Sequence, residues 1–336
     1  MRNPLSCLLF ALLLFPAAAH ADAWEAKTMR APYSTREIER PLLLSKGWLE
    51  FGLGADVKLA TGYWGSDGSK QDFENAHWLY TTERLDIRYG VAPRAELYWR
   101  VPIHYLQLTN DALGTDTSGV YWGDPKFGWR FEAFHSDAPL TSVATVVELK
   151  VPLGNEAPGS FISGPSSFQR FVTTTGTPDL RLGVDAKRQF GPVAIGGSLG
   201  YVYRFSGLVQ YAMETNTFQF LGRIKPGQQV YGDLKLLAQL GPVALHVEPG
   251  VEAHGPVLLG TTSPGVLPDK NLEPVEGSDG WSLDVDTGAT LNLGHNFDIV
   301  YSANVPIRGE DLMFFPIEDI HPTRGVTHSA TIKFRY

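Results

Sequence analysis

Twelve stretches of this chain alternate apolar and polar residues with a period of two, and the links between them alternate long and short. The pattern is clearest from Leu180 to Phe205. Leu180, Leu182, Val184 and Ala186 alternate with Arg181, Gly183, Asp185 and Lys187. After Gly191-Pro192, the residues Val193, Ile195, Leu199, Tyr201 and Tyr203 alternate with small or polar residues and Arg204. A period of two marks a strand with one apolar and one polar face. The Gly-Pro pair predicts a hairpin turn between the arms. Each arm has roughly the ten residues that a tilted strand needs to cross a bilayer.

The same unit recurs along the chain. Segments are predicted near 47–60, 79–89, 94–105, 126–134, 142–151, 179–190, 193–205, 230–240, 243–254, 281–293, 297–307 and 326–336. Long links (61–78, 106–125, 152–178, 206–229, 255–280, 308–325) alternate with short ones (90–93, 135–141, 191–192, 241–242, 294–296). An even number of strands with every long loop at one end is the pattern of a bacterial outer-membrane barrel. The predicted fold is therefore all-β: a single 12-stranded antiparallel transmembrane β-barrel with short periplasmic turns and long extracellular loops. Abundant Gly (35) and Pro (23) suit many strands and turns rather than long helices. A helical membrane protein is not expected, because no apolar run of about 18 residues follows the first 20 positions.

Charge placement separates a membrane barrel from a soluble sandwich. One parity holds Phe51, Leu53 and Val57, then Leu85 and Ile87, Leu97 and Trp99, Phe127 and Trp129, Leu234 and Leu236, and Ile332 and Phe334. The other parity holds Asp56, Lys58, Arg84, Arg88, Glu96 and Arg100. It continues with Arg130, Glu132, Glu148, Arg181, Asp185, Arg204, Asp233 and Lys235, and then His246, Glu248, Glu252, Asp284 and Asp286. In a barrel the apolar face meets lipid and these nineteen polar positions are expected to line the lumen. Glu83, Arg188 and His328 depart from the pattern near segment ends, where a lipid-facing charge costs little. Acids and bases are roughly balanced in the lumen, so paired side chains either close the pore or line a narrow channel.

Three regions are divided from this pattern. Residues 1–21 read as a signal peptide: Arg2, an apolar core from Leu5 to Pro16, and Ala19-His20-Ala21 before the cleavage point. Cys7, the one cysteine, falls inside it, which leaves no thiol for disulfides, catalysis or zinc. Residues 22–45 read as a periplasmic lead-in, with a plug entering the barrel as the alternative, and 46–336 form the barrel. The expected location is the outer membrane of a Gram-negative cell. Lipid and lipopolysaccharide are the expected surroundings, a small-molecule solute the expected partner, and nucleic acid is not expected, since no basic run exists.

The long loops are unusually apolar at Phe161, Phe168, Phe171, Phe218, Phe220, Leu258, Phe314 and Phe315. Two readings stand: a cap whose side chains pack on one another, or a greasy mouth for an apolar solute. Acidic clusters in some outer loops (Asp67, Asp72 and Glu74; Asp269, Glu273, Glu276 and Asp279; Glu310, Asp311, Glu318 and Asp319) serve solubility or, alternatively, cation bridges to lipopolysaccharide.

Short motifs then bring a family into view. Gly123-Asp124-Pro125-Lys126-Phe127-Gly128 resembles a Gly-Asp strand start, and Leu149-Lys150-Val151-Pro152-Leu153-Gly154 resembles a Leu-Pro-Thr-Gly strand exit with Leu153 in place of Thr. Thr175-Gly176-Thr177-Pro178-Asp179-Leu180 onward to Tyr201 is similar to the hairpin that follows. The family is that of outer-membrane barrels labelled MetA-pathway phenol degradation or putative transporter, and the likeness covers mainly residues 80–255. It implies a passive channel or transporter component for small, apolar or aromatic solutes, with no catalytic residue to carry over. The alternating Ile332, Phe334 and C-terminal Tyr336 resemble the terminal-strand signal read by the barrel-assembly machinery.

Other classes have less support. A non-transporting structural or surface-binding barrel is the alternative. An outer-membrane hydrolase is less favoured: His135-Ser136 and His328-Ser329 are adjacent pairs, so in a strand they point to opposite faces. His246, Glu248, Glu252 and His254 share one face, but alternate residues stand roughly 6.6–6.8 Å apart, too far for neighbours to share a metal unaided. No cofactor, metal or enzymatic activity is expected.

Overall fold

The computed structural model describes residues 33–336 except 66, 74–75, 111–114, 154–158, 161–175, 213–218, 261–271, 275, 277 and 311–322. The signal-peptide reading of 1–21 lies outside the described residues.

Twelve long strands follow in chain order. They are β1 (Leu49–Ala60), β2 (Ala76–Ala92), β3 (Ala95–Asn110), β4 (Lys126–Asp137), β5 (Leu140–Lys150) and β6 (Asp179–Phe190). Then come β7 (Val193–Arg204), β8 (Gln229–Leu240), β9 (Val243–His254), β10 (Gly280–Asn292), β11 (Phe297–Glu310) and β12 (Thr327–Arg335). Each pairs antiparallel with its neighbours, and β1 pairs with both β2 and β12, so the sheet closes into a twelve-stranded barrel. Closure is completed in register by Glu50 opposite Arg335 and Phe51 opposite Phe334. Backbone bonds between Leu49 and Tyr336, at 3.0 and 2.9 Å, finish the seam. A closed sheet leaves no unpaired edge for lipid to meet.

The short turns explain the tight hairpins. Phe190 pairs directly with Val193, and Leu240 with Val243. Gly191 and Gly241 both take φ of 60°, and proline follows each. A positive φ followed by the fixed negative φ of proline matches a type II′ turn, whose twist suits paired strands.

The other end of the barrel carries more structure. β3 continues to Asn110 and is met by a return segment, Thr115–Trp122. Short strands at Gly159–Ser160, Gly207–Ala212, Gln219–Lys225, Leu258–Gly260 and Glu273–Pro274 form a five-stranded outer sheet. Part of the stretch expected to be bare loop is therefore sheet. Strand boundaries differ most at β2 and β3, of 17 and 16 residues: β2 runs past both predicted ends and β3 past its C-terminal one.

Alternation sorts the faces. Phe51, Leu53, Trp99, Phe127, Leu182, Ile195, Leu234 and Ile332 are exposed on the outside, Leu53 to 65%. A monomeric soluble protein rarely exposes so wide an apolar belt.

Residues 33–48 precede β1 and lie within the barrel at the short-turn end. A 3-10 turn, Glu37–Glu39, presses the fully buried Ile38 against Ala194 and Leu237. Lys187 Nζ donates to the carbonyls of Glu37 (2.7 Å) and Arg40 (3.0 Å). Arg88 donates to the Leu42 carbonyl, and the Leu44 N–H donates to Glu96 at 2.7 Å. These partners sit on β2, β3, β6, β7 and β8, so the segment crosses the mouth rather than hanging below it. Residues 33–45, expected in a lead-in with a plug as the alternative, take the inward course of that alternative; 22–32 lie outside the described residues.

Candidate functional site: the barrel interior

Polar side chains reach the interior because every second residue of a strand points the same way. Once there, with lipid outside and limited water inside, each charge needs a partner. The interior divides into two zones.

The zone near the short turns is a dense ion-pair network built partly from residues 33–48. Arg40, 2% exposed, contacts Asp298 at 2.7 Å and Glu37 at 2.6 Å. Asp298 also takes Arg335 at 2.6 Å, and Arg335 reaches Glu50. Arg88 bridges Glu50 (3.0 Å) and the fully buried Glu96 (2.7 Å). Arg130 stands 3.6 Å from both Glu96 and Asp185. Tyr33 lies between two guanidiniums, Arg40 at 5.0 Å and Arg335 at 4.6 Å from its ring. Burial pushes the Tyr33 hydroxyl up to about 12, only partly offset by Arg88. Burial also raises the Glu37 carboxyl, but Arg40, Lys333 and Lys187 outweigh it and hold it below the ordinary carboxylate range.

The nineteen expected lumen positions are placed as follows. Arg84 pairs Asp56 at 3.0 Å, and Arg100 pairs Asp86 at 2.8 Å. Glu132 accepts from Ser142 at 2.6 Å and meets His135 at 2.9 Å. Asp233 accepts the Ser198 N–H, Lys235 pairs Glu248 at 2.6 Å, and His246 meets Asp286 at 2.7 Å. Lys58 lies in the field of Asp284. Glu148, Arg181, Arg204 and Glu252 gather in the second zone, while Arg88, Glu96, Arg130 and Asp185 belong to the first. So the interior joins these residues into local pairs rather than one constellation.

The second zone lies toward the long-loop end and holds a cavity of about 250 Å³. Its wall runs across six strands, from Lys126 on β4 to Glu252 on β9. Tyr98 donates to Glu148 at 2.8 Å, Arg181 Nε donates to Tyr231 at 2.6 Å, and Arg204 Nη2 donates to Gln229 at 2.6 Å. Gln229 passes its own amide hydrogen to Glu252 at 2.7 Å. The Arg181 guanidinium also lies over the Tyr231 ring at 4.2 Å. That ring fits because Gly200 faces it: a Cβ there would stand 2.1 Å from the Tyr231 hydroxyl.

Tyr98, Gln229 and Tyr231 were missed as site residues, although parity places Tyr98 with Glu96 and Arg100, and Tyr231 with Asp233. Arg40 and Glu37 gave no such signal, being in an aperiodic segment. Of the expected apolar cap, Phe161, Phe168, Phe171, Phe218, Phe314 and Phe315 lie outside the described residues. Phe220 pairs through its backbone with Tyr211, and Leu258 with Lys225 and Pro274. On the outside, the exceptional His328 is met by the Tyr301 hydroxyl at 2.9 Å, which gives that lipid-facing polar ring a partner.

A closed barrel with apolar residues outside and ion pairs inside defines the transmembrane β-barrel class. Comparison with solved structures agrees on the fold. The chain matches the outer membrane channel from Pseudomonas putida F1 with a TM-score of 0.62 and 13% identity, over 89% of this chain and 98% of that one. It also aligns with the translocator domain of the autotransporter NalP from Neisseria meningitidis (TM-score 0.47, 10% identity, 88% and 90% covered). A third alignment is with a mutant of the monoaromatic hydrocarbon channel TodX (TM-score 0.44, 8% identity, 87% and 90% covered). No family model and no curated protein matches the chain.

Proposed function

We propose that this barrel is an outer-membrane channel or transporter component that passes small solutes passively. The observation that carries the reading is the interior itself. It keeps a cavity of about 250 Å³ toward the long-loop end, while residues 33–48 fill the short-turn end. A barrel serving only as a scaffold has no need of a hollow. The shared fold with a channel from Pseudomonas putida F1 supports the same reading.

In this reading residues 1–21 direct export and are removed, the barrel-assembly machinery inserts the chain, and lipid with lipopolysaccharide surrounds it. Residues 33–48 act as a plug that narrows the path. The nineteen polar positions line that path. The resemblance in residues 80–255 to the phenol-degradation barrels favours solutes with an apolar or aromatic body. A solute of that kind meets charged walls, so passage suits a molecule with one polar end. No residue is assigned a catalytic role.

Reconstitution tests the reading. Purified barrel in planar bilayers should show small, stable conductance steps, and liposomes containing it should take up neutral aromatics faster than empty ones. Absence of both would overturn the channel and leave a structural or surface-binding barrel. Hydrolysis of phospholipid or peptide, abolished by one His substitution, would make it an enzyme.

A further inference from the structure

The outer cavity contains a buried cation with unused donors. Arg204 closes β7 at the long-loop end and is 1% exposed. Its Nη2 is committed to Gln229. Its Nε stands 4.0 Å from Asp179 Oδ2, beyond hydrogen-bond reach. Its Nη1, also buried, has no hydrogen-bond partner among the described residues. A guanidinium offers five N–H donors in a rigid fork and cannot lose its charge, so leaving that fork half-used inside a barrel is costly.

The surroundings hold the fork in place. Gln229 is fixed by its own bond to Glu252, so it cannot swing away from Arg204. Arg181 lies on the adjacent strand, diagonal to Arg204 in register, since Arg181 pairs Val202 and Asp179 pairs Arg204. Diagonal neighbours stand on the order of 7–8 Å apart, a span that one small oxyanion can bridge with long side chains. Arg181 is itself pinned by the Tyr231 ring and hydroxyl.

We propose that this cavity is a binding site for the carboxylate of a small monoanionic solute, with Arg204 supplying the donor fork and Arg181 the second cation. Planar carboxylate is the group that an arginine fork matches in two parallel bonds. The charge count of the wall selects a monoanion. Lys126, Lys150, Arg181 and Arg204 face three carboxylates, Glu148, Asp179 and Glu252. The wall thus carries one net positive charge, which a single carboxylate neutralises and a dianion would overshoot. The volume of about 250 Å³ limits the solute to a single ring or a short chain, and Val202 offers that body an apolar contact. Describing the bound acid as cargo rests on the channel reading; the binding itself does not.

The test uses the folded, purified full barrel in detergent and equilibrium dialysis with labelled benzoate, benzyl alcohol and inorganic phosphate. Benzoate should bind saturably and at least about tenfold more tightly than benzyl alcohol, its neutral analogue, and equimolar phosphate should not displace it. Arg204→Gln should weaken benzoate by roughly 10- to 100-fold, the range of a charge-assisted bond, and leave benzyl alcohol unchanged. Arg204→Lys should recover part of the loss. Equal binding of acid and alcohol would overturn the site, as would displacement by phosphate. So would unaltered benzoate binding in an Arg204→Gln barrel that still shows heat-modifiable migration. If that variant fails to fold, the three-ligand comparison on the unaltered protein decides alone. Liposome uptake separates this site from the channel. Neutral aromatics permeating without benzoate binding would remove the site and leave the channel. Benzoate binding with no permeation would leave the site and remove the channel.

Discussion

At the residue scale, interior glycines and tyrosines form matched pairs. Gly200 exists to admit the Tyr231 ring, because any side chain at 200 collides with its hydroxyl. Gly200→Ala should push Tyr231 off Arg181 and cost about 1–3 kcal/mol, the usual cost of overpacking. The temperature at which the folded band disappears in unboiled gels should fall accordingly. An unchanged transition would mean that Tyr231 swings freely. The glycines and tyrosines of this wall are visible in the sequence as members of the polar parity. Their pairing is not, because it depends on which residue of the next strand stands opposite. The same gap hides the unused donors of Arg204: the sequence places that side chain in the lumen, and only its partners show what it lacks.

At the element scale, the β6–β7 hairpin tests the orientation of every strand. Leu182 is 45% exposed on the outer face, and its neighbour Arg181 is inside. Leu182→Arg should reduce outer-membrane assembly, since an arginine facing mid-bilayer costs roughly 2–4 kcal/mol. Arg181→Leu should assemble and alter conductance instead. Equal assembly defects in the two would reverse the faces. Strand positions were legible because period two persists through each one. The prolines show why strand ends were less so. Pro102 stands where β3 leaves β4 and takes up the Thr115–Trp122 segment, and Pro306 sits at a register shift between β10 and β11. Pro249 lies opposite a break in the β8–β9 ladder. Having no N–H to donate, each proline marks an irregularity inside a strand, and at Pro102 and Pro249 the ladder on the other edge runs on, opposite Arg84 and Val285.

At the scale of the whole molecule, the barrel and residues 33–48 are two layers of one charge balance. The barrel was legible as a repeating pattern with alternating loop lengths. The inner layer was not, because an aperiodic segment of mixed charge looks the same whether it hangs in water or fills a mouth. Its charges are answered mainly by the wall: Arg40 by Asp298, and Glu37 by Lys187 and Lys333 together with its own neighbour Arg40. Removing one member of a buried pair typically costs about 3–5 kcal/mol, because the other is left uncompensated. Arg40→Gln should therefore loosen the segment and raise single-channel conductance while the strands stay closed. Unchanged conductance in the folded variant would mean that the segment does not limit the path.

The same balance sets a pH dependence with a defined sign. The Glu37 carboxyl is held below its ordinary value in the seated segment, so its contribution is present at neutral pH and above. It is lost as pH falls through that lowered value, below about 4, the ordinary range of a free carboxylate. Conductance should therefore rise on strong acidification of the short-turn side and return on neutralisation. Glu37→Gln, which cannot titrate, should flatten the part of that rise that belongs to Glu37. A barrel in which both proteins respond identically would place the pH-sensitive group elsewhere in the wall. Asp298 and the Ser34 carbonyl would then hold Arg40, and the 3-10 turn would be seated by Lys187 at its carbonyls and by Ile38 between β7 and β8.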